Sequence, residues 1–239
     1  TDTIYIKKIM NLPKPIKFKV ERYIGGLSQF KKIDNPIKLS ANESALGPSP
    51  KAIQAFENDK NNIFKYPESD SESLREALSE KFNINPKRII CGAGSDQIFD
   101  LTCRLFLKPK DEVIVTEFGF IMHRIYASLH NAKIVLAKEK NFTASVEEIL
   151  KKVTNKTKIV FIANPNNPTG TYVSKSEMLN LRKKLRSDIL LVVDDAYFEF
   201  LNSSDFTSGL DLFKDSNNVL VTRPFSKIYG LAGLRIGWG

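Results

Sequence analysis

The stretch "KIVFIANPNNPTG", Lys158 to Gly170, is an apolar run that breaks off into a loop dense in proline and asparagine. A half-exposed strand alternates apolar and polar residues, whereas a run apolar at successive positions belongs to a strand covered on both faces. The prolines and glycine of "PNNPTG", Pro165 to Gly170, end that strand and impose a rigid, shaped loop at its carboxyl end. The same grammar recurs along the chain. "EVIVT" (Glu112–Thr116), "KIVLA" (Lys133–Ala137), "ILLVVDD" (Ile189–Asp195) and "NVLVT" (Asn218–Thr222) are further short β-branched runs, and "RIIC" (Arg88–Cys91) is a briefer one. Helical patterns separate them. "SESLREALSEKF" places Leu74, Ala77, Leu78 and Phe82 on one face, with Ser73 and Glu76 as a capping box. "QIFDLTCRLF" puts Ile98, Leu101 and Leu105 on one stripe, and Ser145–Glu148 and Ser174–Glu177 form two more capping boxes. Strand–helix alternation of this kind predicts an α/β fold, a three-layer α/β/α sandwich around a mainly parallel sheet.

The totals set the outer bounds. At 239 residues the chain suits one large domain, or a domain with part of another. Its 42% hydrophobic and 26% charged content is that of ordinary soluble proteins. No apolar run approaches the roughly 18 residues a membrane span needs, so no membrane partner is expected. The N-terminus, "TDTIYIKKIMNLPKPIKFK", has no apolar signal core, which makes the cytoplasm the expected compartment and Met10 a candidate natural start. Residues 1–40 are basic and broken by Pro13, Pro15 and Pro36; they read as an N-terminal arm, and residues 41–239 as the domain. Thirty-six Lys and Arg against 27 Asp and Glu leave a net charge of +9, dispersed rather than gathered into a stripe, so nucleic acid is not an expected partner. Cys91 and Cys103 have no CxxC spacing and read as buried free thiols. His123 and His130 lack a local carboxylate or Cys pattern, and no metal site is expected.

In open α/β sheets ligands bind beyond the carboxyl ends of the strands. After "RIIC" comes "GAGSDQ" and then a helix: either an ordinary turn or, with Ser95 as N-cap, a cradle of free N–H groups for a phosphate. In "PNNPTG", Asn166 and Asn167 are planar donor–acceptor groups suited to a ring hydroxyl, unless the loop is only a turn. Asp194 follows five apolar residues; burial there would demand a cationic partner, whereas Asp195 reads as a solvated neighbour. In "TRPFSKIYGLAGLRIGWG" (Thr222–Gly239), Lys227 lies among apolar and glycine residues, either snorkelling to the surface or desolvated enough for Schiff-base chemistry. A phosphate cradle, a ring-hydroxyl binder, a buried carboxylate and a nucleophilic amine together are the set that pyridoxal 5′-phosphate requires.

Six ordered motifs carry a family resemblance from Lys38 to Trp238: "KLSANESALGPSPKAI", "KYPESDSESLREAL", "GAGSDQIFDL", "NPNNPTG", "VVDDAYFEF" and "FSKIYGLAGLRIGW". The sequence resembles the fold-type I pyridoxal-phosphate aminotransferases, and within them the histidinol-phosphate aminotransferase group. The resemblance implies that Lys227 captures the cofactor aldehyde and shuttles the proton between substrate Cα and C4′. Asp194 would pair with the pyridine nitrogen, and Asn167 and Tyr197 would bond O3′. The N–H groups of Ser95 and Asp96, with Ser226 and Arg235, would hold the phosphate. Phe120, in "EFGFIMH", aligns with the aromatic that stacks on the ring, although the motif departs from the commoner "PTY" form. Tyr66 matches the tyrosine that reaches the partner subunit's phosphate, which implies a homodimer, and Tyr23 is matched to substrate contact. Gln97 stands where a glutamate often follows "GSD". Family members continue beyond "GLRIGW" into a small domain that carries the arginine for the substrate α-carboxylate, so the expectation is a chain truncated at its C-terminus. The implied reaction moves an amino group between L-histidinol phosphate and the 2-oxo acid 2-oxoglutarate, in histidine biosynthesis. Decarboxylation of phosphothreonine or phosphoserine and transamination of aromatic amino acids use the same cofactor motifs. A regulator reading would need a DNA-binding module, for which residues 1–40 are too short and proline-broken.

Overall fold

The computed structural model describes residues 37–239 together with Val20 and Tyr23, so the expected arm lies almost wholly outside the described residues. Seven strands form one sheet: β1 (Cys91–Gly92), β2 (Glu112–Thr116), β3 (Lys133–Ala137), β6 (Thr157–Ala163), β7 (Leu190–Asp194), β8 (Val219–Pro224) and β9 (Gly237–Trp238). Their order is β1-β9-β8-β7-β6-β2-β3. The contacts from β3 through β2, β6 and β7 to β8 are all parallel, and only β9, set between β8 and the edge strand β1, runs antiparallel to its neighbours. A separate hairpin pairs β4 (Glu139–Lys140) with β5 (Thr143–Ala144).

The apolar runs are explained by what covers them. Along β6, Val160 and Ile162 join one core cluster, while Ile159 and Phe161 join the cluster on the opposite face. Along β7, Leu191 and Val193 enter the first cluster and Val192 the second. Period-two alternation into two apolar layers is what makes both strands read as continuous hydrophobic runs. Helices α2 (Glu72–Phe82), α5 (Val146–Lys151), α6 (Lys175–Lys184) and α7 (Gly209–Phe213) contribute to the first layer, and α3 (Gly94–Phe106) and α4 (Ile121–Leu129) to the second. Helix α1 (Pro50–Asp59) has no buried residue. The β3 strand departs from the two-sided pattern, with Leu136 44% exposed at the sheet edge.

Local expectations fared unevenly. Ser145 and Ser174 do accept from the N–H groups of Glu148 and Glu177, as capping requires. The Ser73–Glu76 box is corrected: α2 starts at Glu72 behind a left-handed Ser71, and Glu68 accepts from the Ser73 N–H. On the same helix Leu78 is buried but Ala77 is exposed. The α3 stripe is Ile98, Phe99, Thr102 and Cys103, with Leu105 turned to solvent at 75% exposure. "RIIC" yields only the two-residue β1, paired with Trp238 rather than with a parallel neighbour. Both cysteines are free, and burial pushes the Cys103 thiol up to about 12.

Alternation also decides the two aspartates that leave β7. Asp194 follows the side of Val192, toward α3 and α4, while Asp195 turns to the other side. Asp195 is therefore not a solvated neighbour: at 1% exposure it accepts from the N–H groups of Gly209 and Leu210 at the start of α7 and pairs with Arg223 at 3.3 Å. The Arg223 guanidinium lies 3.7 Å from the Phe198 ring centroid and 5.0 Å from that of Phe82. Desolvation pushes the Asp195 carboxyl up, to about 7, against the pull of Arg223. Arg223→Met should cost about 3–5 kcal/mol, because breaking a buried pair strands the remaining charge. The sign with pH follows. A carboxyl whose folded pKa is raised contributes stability that is present at low pH and lost as pH rises through the folded value. Removing Arg223 raises that value further, so the deficit against the parent should widen from pH 5 to pH 8 in urea titrations. A constant deficit would refute the pairing.

Candidate active site

The loops after β2, β6, β7 and β8 all leave the sheet at its carboxyl end, and they enclose a cleft of about 560 Å³. Of the eleven residues expected at the site, Tyr23, Ser95, Asp96, Phe120, Asn167, Asp194, Tyr197, Ser226, Lys227 and Arg235 line this cleft. Tyr66 does not: it is 99% exposed and stands outside the cavity lining.

One end of the cleft is an anion cradle. Helix α3 begins at Gly94 (φ +74°), and the first N–H groups of a helix have no partner within it. Ser95 is the second residue of that helix, not its N-cap, which is Ala93. The Ser95 hydroxyl is buried and makes no hydrogen bond among the described residues. Arg235, two residues before β9, meets this helix end from the chain's last strand, and its backbone is left-handed at φ 54°. Its Nη1 donates to Ser226 Oγ at 3.3 Å, and its Nη2 lies 3.5 Å from Asp96 Oδ2. A Cβ on Gly94 would fall 2.5 Å from that Nη2, so glycine is what lets the guanidinium settle on the helix end. Burial raises the Asp96 pKa, with Arg235 opposing. Guanidinium and helix N-terminus together focus positive potential at one point.

The floor of the cleft is acidic. Asp194 is 5% exposed, and its Oδ1 accepts from the Ala196 N–H at 3.2 Å. Its Oδ2 lies 3.4 Å from His123 Nε2, without hydrogen-bond geometry. His123 is boxed by aromatics: it stacks on Phe161 at 4.8 Å and meets Phe99 and Phe120 edge-on. The sequence reading passed over this histidine because its carboxylate comes from another strand. The available signal was its place one turn after Phe120 at the opening of α4. His130 likewise finds Asp100 at 3.0 Å. Among the described residues no cluster of metal-ligating groups occurs.

The remaining wall carries the amine and the hydroxyls. Lys227 Nζ donates to Ala41 O at 3.1 Å and lies 5.4 Å from the Tyr197 ring centroid. Tyr197 OH accepts from Asn42 Nδ2 at 3.0 Å. The two asparagines of the "PNNPTG" loop separate in role. Asn166, 5% exposed, spends its amide on Phe118 O and Thr169 Oγ1 and ties the loop to the one bearing Phe120, leaving Asn167 to face the cleft.

Comparison with known proteins gives this geometry its relatives. The family model described as "Aminotransferase class I and II" matches residues 34–239. A histidinol-phosphate aminotransferase of Pelagibacter ubique is 59% identical over 230 residues, 96% of this chain and 64% of the relative. One from Paramagnetospirillum magneticum is 46% identical, over 95% of this chain and 62% of the relative. The chain thus spans a little under two thirds of the length of these curated relatives. Among solved structures, histidinol-phosphate aminotransferase from Sinorhizobium meliloti in complex with pyridoxal-5′-phosphate superposes with a TM-score of 0.79 at 29% identity, covering 83% of this chain and 54% of that one. A Thermus thermophilus aspartate aminotransferase mutant, 24% identical with a TM-score of 0.77 over 84% of this chain and 58% of that one, shares the fold. The chain belongs to the class I and II aminotransferase family.

Proposed function

We propose that the full-length protein is a homodimeric, cytoplasmic enzyme of histidine biosynthesis that binds pyridoxal 5′-phosphate in this cleft. On this reading it transfers an amino group between L-histidinol phosphate and 2-oxoglutarate. The observation that carries the reading is the convergence of Lys227, Asp194 and the Ser95–Ser226–Arg235 cradle on one cavity. The residues fit the group. The unpartnered Ser95 hydroxyl and the Arg235 guanidinium want an anion, and the buried Asp194 wants a proton held opposite it. When bound, the cofactor supplies an electron sink for the pair released at substrate Cα.

The chain's own residues divide the remaining work. Lys227 would hold the cofactor aldehyde and would move the proton at substrate Cα. Asp194 would hold the pyridine proton. Asn167 and Tyr197 would donate to the ring hydroxyl oxygen, Phe120 would cover the ring, and the N–H groups of Ser95 and Asp96, with Ser226 and Arg235, would hold the phosphate. Residues 41–239 form the cofactor-binding large domain and residues 1–40 the arm. Tyr66, fully exposed in the single chain, serves the neighbouring site of the dimer, and Tyr23 meets substrate at the cleft mouth.

The choice of amino donor rests on the names of the relatives, since every residue above except Tyr23 serves the cofactor and Tyr23 alone does not tell one donor from another. The test is to incubate the full-length protein with L-histidinol phosphate, phosphothreonine or phenylalanine, each with 2-oxoglutarate, and to measure glutamate and carbon dioxide. Glutamate formed fastest from histidinol phosphate is the expected result. Carbon dioxide without glutamate would overturn the transaminase reading, and faster turnover of phenylalanine would overturn the donor.

A further inference from the structure

Asn42 adopts a left-handed backbone (φ 52°), a conformation asparagine tolerates better than most residues. The preceding carbonyl, Ala41 O, takes the Lys227 ammonium at 3.1 Å, and Lys38 and Glu43 close the segment with an ion pair at 2.8 Å. So held, Asn42 projects Nδ2 onto Tyr197 OH at 3.0 Å. Asn42, Asn167 and Tyr197 line both the main cleft and a second cavity of about 250 Å³, so they stand in the wall between the two.

Hydrogen-bond bookkeeping gives the contact a direction. A phenol has one proton to donate, and its oxygen accepts. An amide N–H can only donate. While Asn42 occupies the Tyr197 oxygen as a donor, the phenolic proton has to point elsewhere, and the main cleft, with Lys227 beside the Tyr197 ring, is one of the two cavities that Tyr197 borders. We infer that Asn42 is a positioning residue for Tyr197: its amide commits the phenolic proton to the cleft, where the cofactor's ring hydroxyl oxygen would accept it. This rests on the cofactor reading above and deepens it.

The test uses the full-length protein and the dissociation constant of pyridoxal 5′-phosphate, measured by its visible absorbance. Asn42→Asp keeps the size and the tolerance for a left-handed backbone, but a carboxylate accepts, and so draws the phenolic proton away from the cleft. Asn42→Ala only removes the donor. The expected losses in affinity are about tenfold for Asn42→Asp and about threefold for Asn42→Ala, as for charged and neutral hydrogen bonds respectively. In a Tyr197→Phe background both losses should vanish. Asn42→Asp binding within twofold of the parent would overturn the inference. So would a loss that persists undiminished beside Phe at 197, since that is what simple repulsion of an anionic ligand produces. A parent protein that fails to bind the cofactor would instead overturn the cofactor reading itself.

Discussion

Lys227→Ala in the full-length protein should lower kcat by about four orders of magnitude, the upper end of what a positioned proton-transfer group contributes. Borohydride should fix the cofactor to residue 227 in the parent and nowhere in the variant. The expectation comes from how the loop after β8 is built. Ser226 is 8% exposed, and the Gly230 N–H closes a turn onto Lys227 O at 3.0 Å. Gly230, at φ +67°, packs so tightly on the preceding segment that a Cβ would fall 2.4 Å from Gly47 O. The turn is thereby pinned, and the lysine side chain is delivered to the cleft wall beside Tyr197 rather than to solvent. A snorkelling lysine needs no such pinning. The variant should still fold, because among the described residues Nζ makes one hydrogen bond, to a backbone carbonyl. Retained turnover together with a retained covalent label would sink the assignment; mass spectrometry of the reduced protein reads the label directly.

What the sequence made legible, and what it did not, follows from distance along the chain. The strands covered on both faces were readable because each carries its own evidence: β2 and β7 are apolar at nearly every position between their ends. The residues that line the cleft were readable because each sits in a short motif at a strand end, where this fold places ligands. The errors fall where a residue's meaning depends on a distant partner. Asp195 looked solvated because nothing near it announces Arg223 or the start of α7. His123 looked idle because Asp194 meets it only once β7 lies beside α4. The α3 stripe was misread for a related reason. Ile98, Leu101 and Leu105 satisfy helical spacing and Ile98 is buried, but the sheet and β9 fix the first turn so that Phe99 and Cys103 turn inward with it in place of Leu101 and Leu105. Two-residue strands such as β1 and β9 have no period to detect; their pairing exists only because Trp238 returns to Cys91.

Asp194→Asn should lower kcat by about 10²–10³-fold, the scale of losing one preorganised electrostatic group at the reacting centre. Cofactor affinity should fall far less, since the phosphate cradle and Lys227 remain. The difference arises because Asp194 is built to face a positive charge. It is 5% exposed, its Oδ1 is fixed by the Ala196 N–H, and among the described residues its Oδ2 has the boxed His123 ring at 3.4 Å. A buried carboxylate this sparsely paired is costly unless a ligand completes it. An amide in its place offers a donor or a neutral acceptor, neither of which holds a proton on a pyridine nitrogen. Its neighbour supplies the control. Asp195 lies on the opposite face of the sheet, tied to Arg223 and α7, so Asp195→Asn should lower the unfolding temperature while leaving kcat per folded molecule near that of the parent. Equal kcat losses in the two variants would mean that both act through the fold, and Asp194 would lose its role opposite the ring nitrogen. A kcat loss confined to position 194, with stability lost at 195, is the pattern that one strand end presenting consecutive aspartates to two different layers requires.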